Sequence, residues 1–173
     1  LSIITIGRLT YQKDQITLLK AIKIVSQNIK CKLLIIGEGH LINKLKNYIK
    51  NNRLKNVSFH GNTSNPEHEI AKADLFVLTS KYEGMPNVLI EALQCKTYII
   101  STNCQTGPSE LLKNGKFGSL IPVGNYKLIA NEILKYSKKP SFFKKKIALG
   151  YNSLFRFNNE KNFSAYLNLI TKL

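Results

Sequence analysis

Short apolar runs separated by amphipathic stretches set the rhythm of this chain. The runs SIITIG (2–7), KLLIIG (32–37), VSFHG (57–61), DLFVLTS (74–80), TYIIST (97–102) and GSLIP (118–122) read as strands. Several are apolar without alternation, the pattern of parallel strands covered on both faces. Between and after them apolar residues recur at helical spacing: Leu18, Ile22 and Val25; Leu41, Leu45 and Tyr48; Ile129, Ile133 and Tyr136; and Phe163, Leu167 and Ile170. Strand and helix in alternation imply right-handed crossovers and a Rossmann-like, doubly wound parallel α/β sheet. Ligands of such sheets bind beyond the carboxyl ends of the strands, so chemistry is expected in the loop after each run.

The first of these loops, GRLTYQKD, places Gly7 at a strand end, then Arg8 and Lys13, with Asp14 ready to cap the next helix. Lys13 lacks the preceding Gly and the following Ser or Thr of a Walker A loop, and the G-x-G-x-x-G of a dinucleotide fingerprint is absent, which argues against ATPase and dehydrogenase readings. What it offers is two cations at the mouth of the sheet; two ordinary surface charges would read the same. The loop IIGEGH sets Gly37 and Gly39 around Glu38, either for a close approach to a ligand or for a tight turn.

The segment KYEGMPNVLIEAL carries the strongest signal. Gly84 permits a bend, Pro86 stiffens the loop, and Asn87 is a good cap for a helix starting at Val88. The amides of Val88, Leu89 and Ile90 would then face the carboxyl edge, a ready phosphate site. Leu89, Ala92 and Leu93 form the buried stripe, and Glu91 lies one turn after Asn87 on the opposite side. Glu83 sits in the loop above it. A carboxylate accepts two hydrogen bonds, which matches the vicinal diol of a ribose or a hexose. Taken singly, both acids also read as ordinary helix and turn residues. Further on, Gly107 and Pro108 open another helix, with Ser109 and Glu110 in its first turn. His40, His60 and His68 lack metal-ligand spacing and read as surface or loop residues.

Composition adds bounds. The 173 residues, 43% hydrophobic, suit one globular domain. Lys and Arg number 26 against 10 Asp and Glu, a formal charge of +16 that attracts nucleic acid, anionic membrane or phosphorylated small molecules. Only Arg8, Arg53 and Arg156 are arginines, so nucleic acid is not the expected partner. A genome rich in lysine, asparagine and isoleucine codons would produce the same balance. The segment from Lys135 to Lys146 reads as a lysine-rich helix pair broken by Pro140, a solvated surface and a candidate for contact with anionic membrane. Cys31, Cys95 and Cys104 are odd in number and far apart, which suits a reduced compartment without a disulfide framework or zinc site. No apolar run approaches the roughly 18 residues of a membrane span, and no signal peptide is visible. A cytoplasmic location is expected, with peripheral contact at the inner face of the membrane as an option. Leu1, leading straight into a strand, raises the expectation of a domain cut from a longer protein.

Together GRLTYQKD, LLIIGEG, ADLFVLTSKYEGMPNVLIEAL and STNCQTGPSELLKNGKFGSLIPVGN resemble the C-terminal half of glycosyltransferase family 4, retaining enzymes of the GT-B fold. The likeness runs from about residue 2 to about residue 135, leaving 136–173 as C-terminal helices that match more loosely. It implies a nucleotide-sugar-binding domain whose acceptor-binding N-terminal partner domain is absent. Glu83 and Glu91 match the family's pair of glutamates with seven residues between them, implying contacts to the donor hexose and to the ribose. Arg8 and Lys13 match the basic pair that neutralises the leaving diphosphate. Gly84, Met85, Pro86, Asn87, Val88 and Leu89 match the segment cradling sugar and phosphate, and Gly7, Gly37 and Glu38 match loops near the nucleotide. The implied reaction moves a UDP-linked hexose or N-acetylhexosamine to a glycan or lipid-linked acceptor in cell-surface polysaccharide synthesis, with no metal or other cofactor. A sugar-nucleotide 2-epimerase domain and a non-catalytic basic module that binds polyanions are the alternatives. Lys96, Thr97 and Tyr98 depart from the family's Gly-x-Pro, and Asn103 stands where relatives commonly have Asp.

Overall fold

The computed structural model describes residues 1–170, apart from the side chains of residues 159–161, 165, 166 and 169. All six predicted runs form strands: β1 (Ser2–Ile6), β2 (Lys32–Ile36), β3 (Val57–His60), β4 (Leu75–Leu78), β5 (Tyr98–Thr102) and β6 (Ser119–Ile121). They pair in parallel in the order β3-β2-β1-β4-β5-β6. The chain therefore reverses its direction of travel between β1 and β4, and the loops after these two strands diverge to open a crevice. The helices are α1 (Gln15–Ser26), α2 (Ile42–Asn51), α3 (Pro66–Ala71), α4 (Asn87–Gln94), α5 (Pro108–Leu111), α6 (Tyr126–Lys138), α7 (Lys144–Asn152) and α8 (Asn159–Ile170). Among the described residues no helix is long and apolar enough to cross a membrane.

Alternation along each strand feeds two cores. Ile3, Leu33, Ile35, Leu75, Val77 and Ile100 turn to one face, where Leu18, Leu19 and Ile22 of α1 and Ile129 and Ile133 of α6 meet them. Ile4, Ile36, Phe76, Leu78 and Ile99 turn to the other, against Leu89, Ala92 and Leu93 of α4. Each fully buried Leu or Ile side chain contributes about 1.5–3 kcal/mol of burial, so β4, buried at every position, is apolar throughout, whereas the edge strand β3 leaves Ser58 and His60 exposed.

Local chemistry departs from expectation at several points. α3 has no counterpart among the predicted elements. Asn65 caps it by accepting the His68 amide at 3.1 Å, and Pro66 opens its first turn. Asp14 holds the cap position of α1, but in a left-handed conformation (φ 46°), and its carboxylate accepts the Thr17 hydroxyl at 2.8 Å instead of an amide. Asn87 is not a cap: Pro86, with φ −75° and an extended ψ of 99°, takes that position and α4 starts at Asn87. Lys96, where the resemblance led one to expect glycine, has φ 56°, a left-handed conformation that glycine adopts without strain. The Lys135–Lys146 segment is broken as expected, with a 3₁₀ turn over Pro140–Phe143 between α6 and α7. It is not wholly solvated, because Lys146 donates to the carbonyls of Gly115 (2.9 Å) and Gly118 (3.3 Å). Phe163, Leu167 and Ile170 share α8 but are exposed, so the apolar spacing there does not mark a face buried within this chain.

Candidate functional site

Two loops are laced together at the crevice between β1 and β4. Thr79, at the end of β4, directs its hydroxyl at the carbonyls of Lys13 (3.0 Å) and Asp14 (3.1 Å). The Lys81 amide donates to the Gln12 carbonyl at 2.8 Å, and the Gln12 side chain donates to the Tyr82 carbonyl at 3.0 Å. On the far side, the Thr106 hydroxyl donates to the Glu83 carbonyl. A Cβ built on Gly107, whose φ is 81°, would fall 1.8 Å from the Gly84 carbonyl oxygen. The loop from Ser80 to Pro86 is thus clamped between its two neighbours, and only glycine fits at 107.

Within that frame lies a cleft of about 350 Å³. Gly7, Arg8 and Lys13 from the first loop form one wall, and Pro86, Asn87, Val88 and Glu91 from the start of α4 form another. Gly37 closes the floor; its own need for glycine is structural, since a Cβ there would lie 2.2 Å from the Gly7 carbonyl oxygen. Arg8 is exposed at the mouth, whereas Lys13 is largely covered. Partial burial raises the pKa of Glu91 above the ordinary glutamate value, and the neighbouring Glu67 adds to the rise.

Glu83 does not line this cleft directly. Its carboxylate is bound to Lys13 at 2.5 Å and accepts the Ser80 hydroxyl at 2.5 Å, with only 7% of the side chain exposed. The two loops that were expected to offer separate charges therefore hold an ion pair. Gly84 and Met85 are exposed and do not line the cleft. Leu89 is wholly buried, and its amide is already engaged by the Pro86 carbonyl at 2.9 Å, so it is withdrawn from the set of amides expected to face a phosphate. Glu38 belongs to an adjoining hollow of about 240 Å³ with Leu9, Gly39, Ile42 and Phe59. Asn103 is exposed after β5, and His40, His60 and His68 are exposed. Among the described residues no cluster of three or more His, Cys, Asp or Glu is arranged to hold a metal. Asn62, Thr63 and Pro66 complete the cleft and were missed; the Asn65-Pro66 pair that starts α3 was the available signal.

A parallel sheet with an anion-suited cleft at its switch point has counterparts. The family model described as Glycosyl transferases group 1 matches residues 1–154. The chain belongs to that family. This group 1 glycosyl transferase sequence is 44% identical over 111 residues to an uncharacterized glycosyltransferase of Methanocaldococcus jannaschii, covering 63% of this chain and 27% of that protein. It is 36% identical over 124 residues to the N-acetylgalactosamine-N,N'-diacetylbacillosaminyl-diphospho-undecaprenol 4-alpha-N-acetylgalactosaminyltransferase of Campylobacter jejuni, covering 71% of this chain and 33% of that protein. The fold superposes, with a TM-score of 0.89 and 26% identity, on the crystal structure of a S. aureus TarM mutant in complex with Fondaparinux, alpha-GlcNAc-glycerol and UDP. That match covers 97% of this chain and 35% of TarM. The chain spans about a third of the length of these relatives.

Proposed function

We propose that this chain is the donor-binding half of a retaining glycosyltransferase that transfers a hexose or N-acetylhexosamine from UDP to a glycan or lipid-linked acceptor in cell-surface polysaccharide synthesis. The observation that carries the reading is the convergence of Arg8, Lys13 and Glu91 on one cleft at the switch point of the sheet. The relatives' names and the UDP held by TarM support it. Breaking the bond from the anomeric carbon to the diphosphate builds positive charge on the sugar and negative charge on the departing phosphate. Arg8 and Lys13 stand where they would neutralise that phosphate, in place of a metal ion; losing one such contact typically costs about 10²–10³ in rate. Glu91 would accept both ribose hydroxyls. Glu83 would receive the hexose once the diphosphate takes Lys13 from it. The acceptor would bind the part of the protein beyond this domain, at the cytoplasmic side of the membrane.

Calorimetric titration of the chain with UDP, UDP-N-acetylglucosamine and ADP tests the donor assignment. UDP and its sugar should bind more tightly than ADP. Arg8→Ala and Glu91→Ala should each weaken UDP binding about 10- to 100-fold, the cost of a charged hydrogen bond. Unchanged affinity in either variant would show that the residue has been given the wrong role.

A further inference from the structure

We propose that a second surface, formed by the end of α6, the Pro140–Phe143 turn and the start of α7, binds an anionic lipid bilayer through a ring of lysines around an inserted Phe142. Between Glu132 and Glu160 the sequence contains no acidic residue but six lysines and Arg156. Lys135, Lys138, Lys139, Lys144 and Lys145 are exposed. Lys135 lies 3.8 Å from Glu132; among the described residues none of the other four pairs with a carboxylate. In their midst Phe142 is 66% exposed.

The turn is built to hold that ring outward. Phe143 is buried, its ring 4.6 Å from that of Tyr98 and 5.3 Å from that of Tyr136. Phe142 stands edge-on to Phe143 at 5.4 Å and 83°. An anchored base with an outward tip loses little entropy when the tip enters an apolar phase. Beside it lies a shallow recess of about 280 Å³ walled by Phe142, Phe143 and the stems of Lys135, Lys138 and Lys139. Lysine stems of this kind cover apolar surface while their ammonium groups reach a phosphate layer. Lysine point charges suit a diffuse lipid surface, whereas nucleic acid is read by arginine forks and by rows of stacking rings, and among the described residues of the Pro140–Phe143 turn and its flanking helix ends Phe142 is the one exposed ring. Tyr98 is the first residue of β5, so the patch sits at the amino rim of the sheet, opposite the cleft, and a bilayer there leaves the cleft open.

Co-sedimentation of the chain with vesicles of phosphatidylcholine alone, and with roughly one-third phosphatidylglycerol added, tests the assignment. The chain should pellet with the anionic vesicles and not the neutral ones. Lys138→Gln/Lys139→Gln should lower the apparent affinity roughly 25-fold, about fivefold per lysine. Phe142→Ser should lower it at high salt as well as low, and because that side chain is mostly exposed and gives up only its edge contact with Phe143, its melting temperature should fall by no more than a few degrees. The control Lys44→Gln/Lys127→Gln, which removes two exposed lysines from the first turns of α2 and α6 at the other rim, should lose far less. Equal loss in the control, equal binding to neutral vesicles, an unaffected Phe142→Ser, or displacement of the vesicles by a short RNA duplex that binds more tightly would each overturn the proposal. UDP titration of the same variants should be unchanged, so this outcome is independent of the cleft's assignment.

Discussion

Lys13→Met would strand the Glu83 carboxylate with 7% of its side chain exposed and its principal counter-charge gone. Removing one partner of a buried ion pair costs about 3–5 kcal/mol, because the remaining charge keeps its desolvation penalty and loses its compensation. Two features point to the lower end of that range: Lys13 itself is 15% exposed, and the Ser80 hydroxyl would still donate to Glu83. A loss of about 3 kcal/mol in a domain of this size lowers the melting temperature by roughly 6–12 °C. The double variant Lys13→Met/Glu83→Gln removes both charges and should recover most of the loss, giving a coupling of about 2 kcal/mol in a double-mutant cycle. Urea denaturation followed by circular dichroism, run on the parent, both single variants and the double, measures all four corners. If Lys13→Met costs less than about 1 kcal/mol, or if the single losses simply add, the two residues are not the buried pair described here.

At Glu91 stability and binding should move in opposite directions. Burial and Glu67 raise its folded-state pKa above the ordinary 4.5, so its contribution to stability is full below that value and is lost as pH rises through the folded pKa. Glu91→Gln should therefore melt higher than the parent near neutrality, with the advantage vanishing in acid, while UDP affinity drops about 10-fold or more; a parent and variant that melt alike across the pH range would contradict this. Gly107→Ala should cost roughly 3 kcal/mol, from left-handed strain plus displacement of the Gly84 carbonyl. Gly124→Ala, with a φ of 76° but open space around it, should cost only about 1 kcal/mol, and comparing the two by denaturant titration separates crowding from backbone strain.

Hydrophobic patterning made the sheet legible because the central strands are buried on both faces and the long crossover helices α1, α4 and α6 carry a stripe of Leu or Ile. Where packing does not decide, it was silent or misleading. α3 contributes only Ile70 to the core among its six residues, too little to register as a period. Phe163, Leu167 and Ile170 have helical spacing yet are exposed, because spacing reports a face and not what covers it. The cap expected at Asn87 falls one residue early: Pro86, with φ fixed by its ring and no capping acceptor, holds the extended position, and α4 starts at Asn87 without a side-chain cap. In the cleft, the approach of Arg8, Lys13 and Glu91 follows from strand topology and could be reasoned out. The Lys13–Glu83 pair could not, since its partners lie 70 residues apart and meet only when the loops after β1 and β4 are laced together.

That lacing has a bearing on how such a domain diversifies. The loop over the cleft is positioned by the Gln12 side chain, the Lys13–Glu83 pair, the Thr106 hydroxyl and a glycine contact, while Tyr82 and Met85 project outward at 55% and 46% exposure. Side-chain identity at those two positions is thereby uncoupled from where the backbone runs. Natural drift can rewrite these two outward side chains without disturbing the scaffold beneath, so the surface there is cheap to change while architecture stays dear.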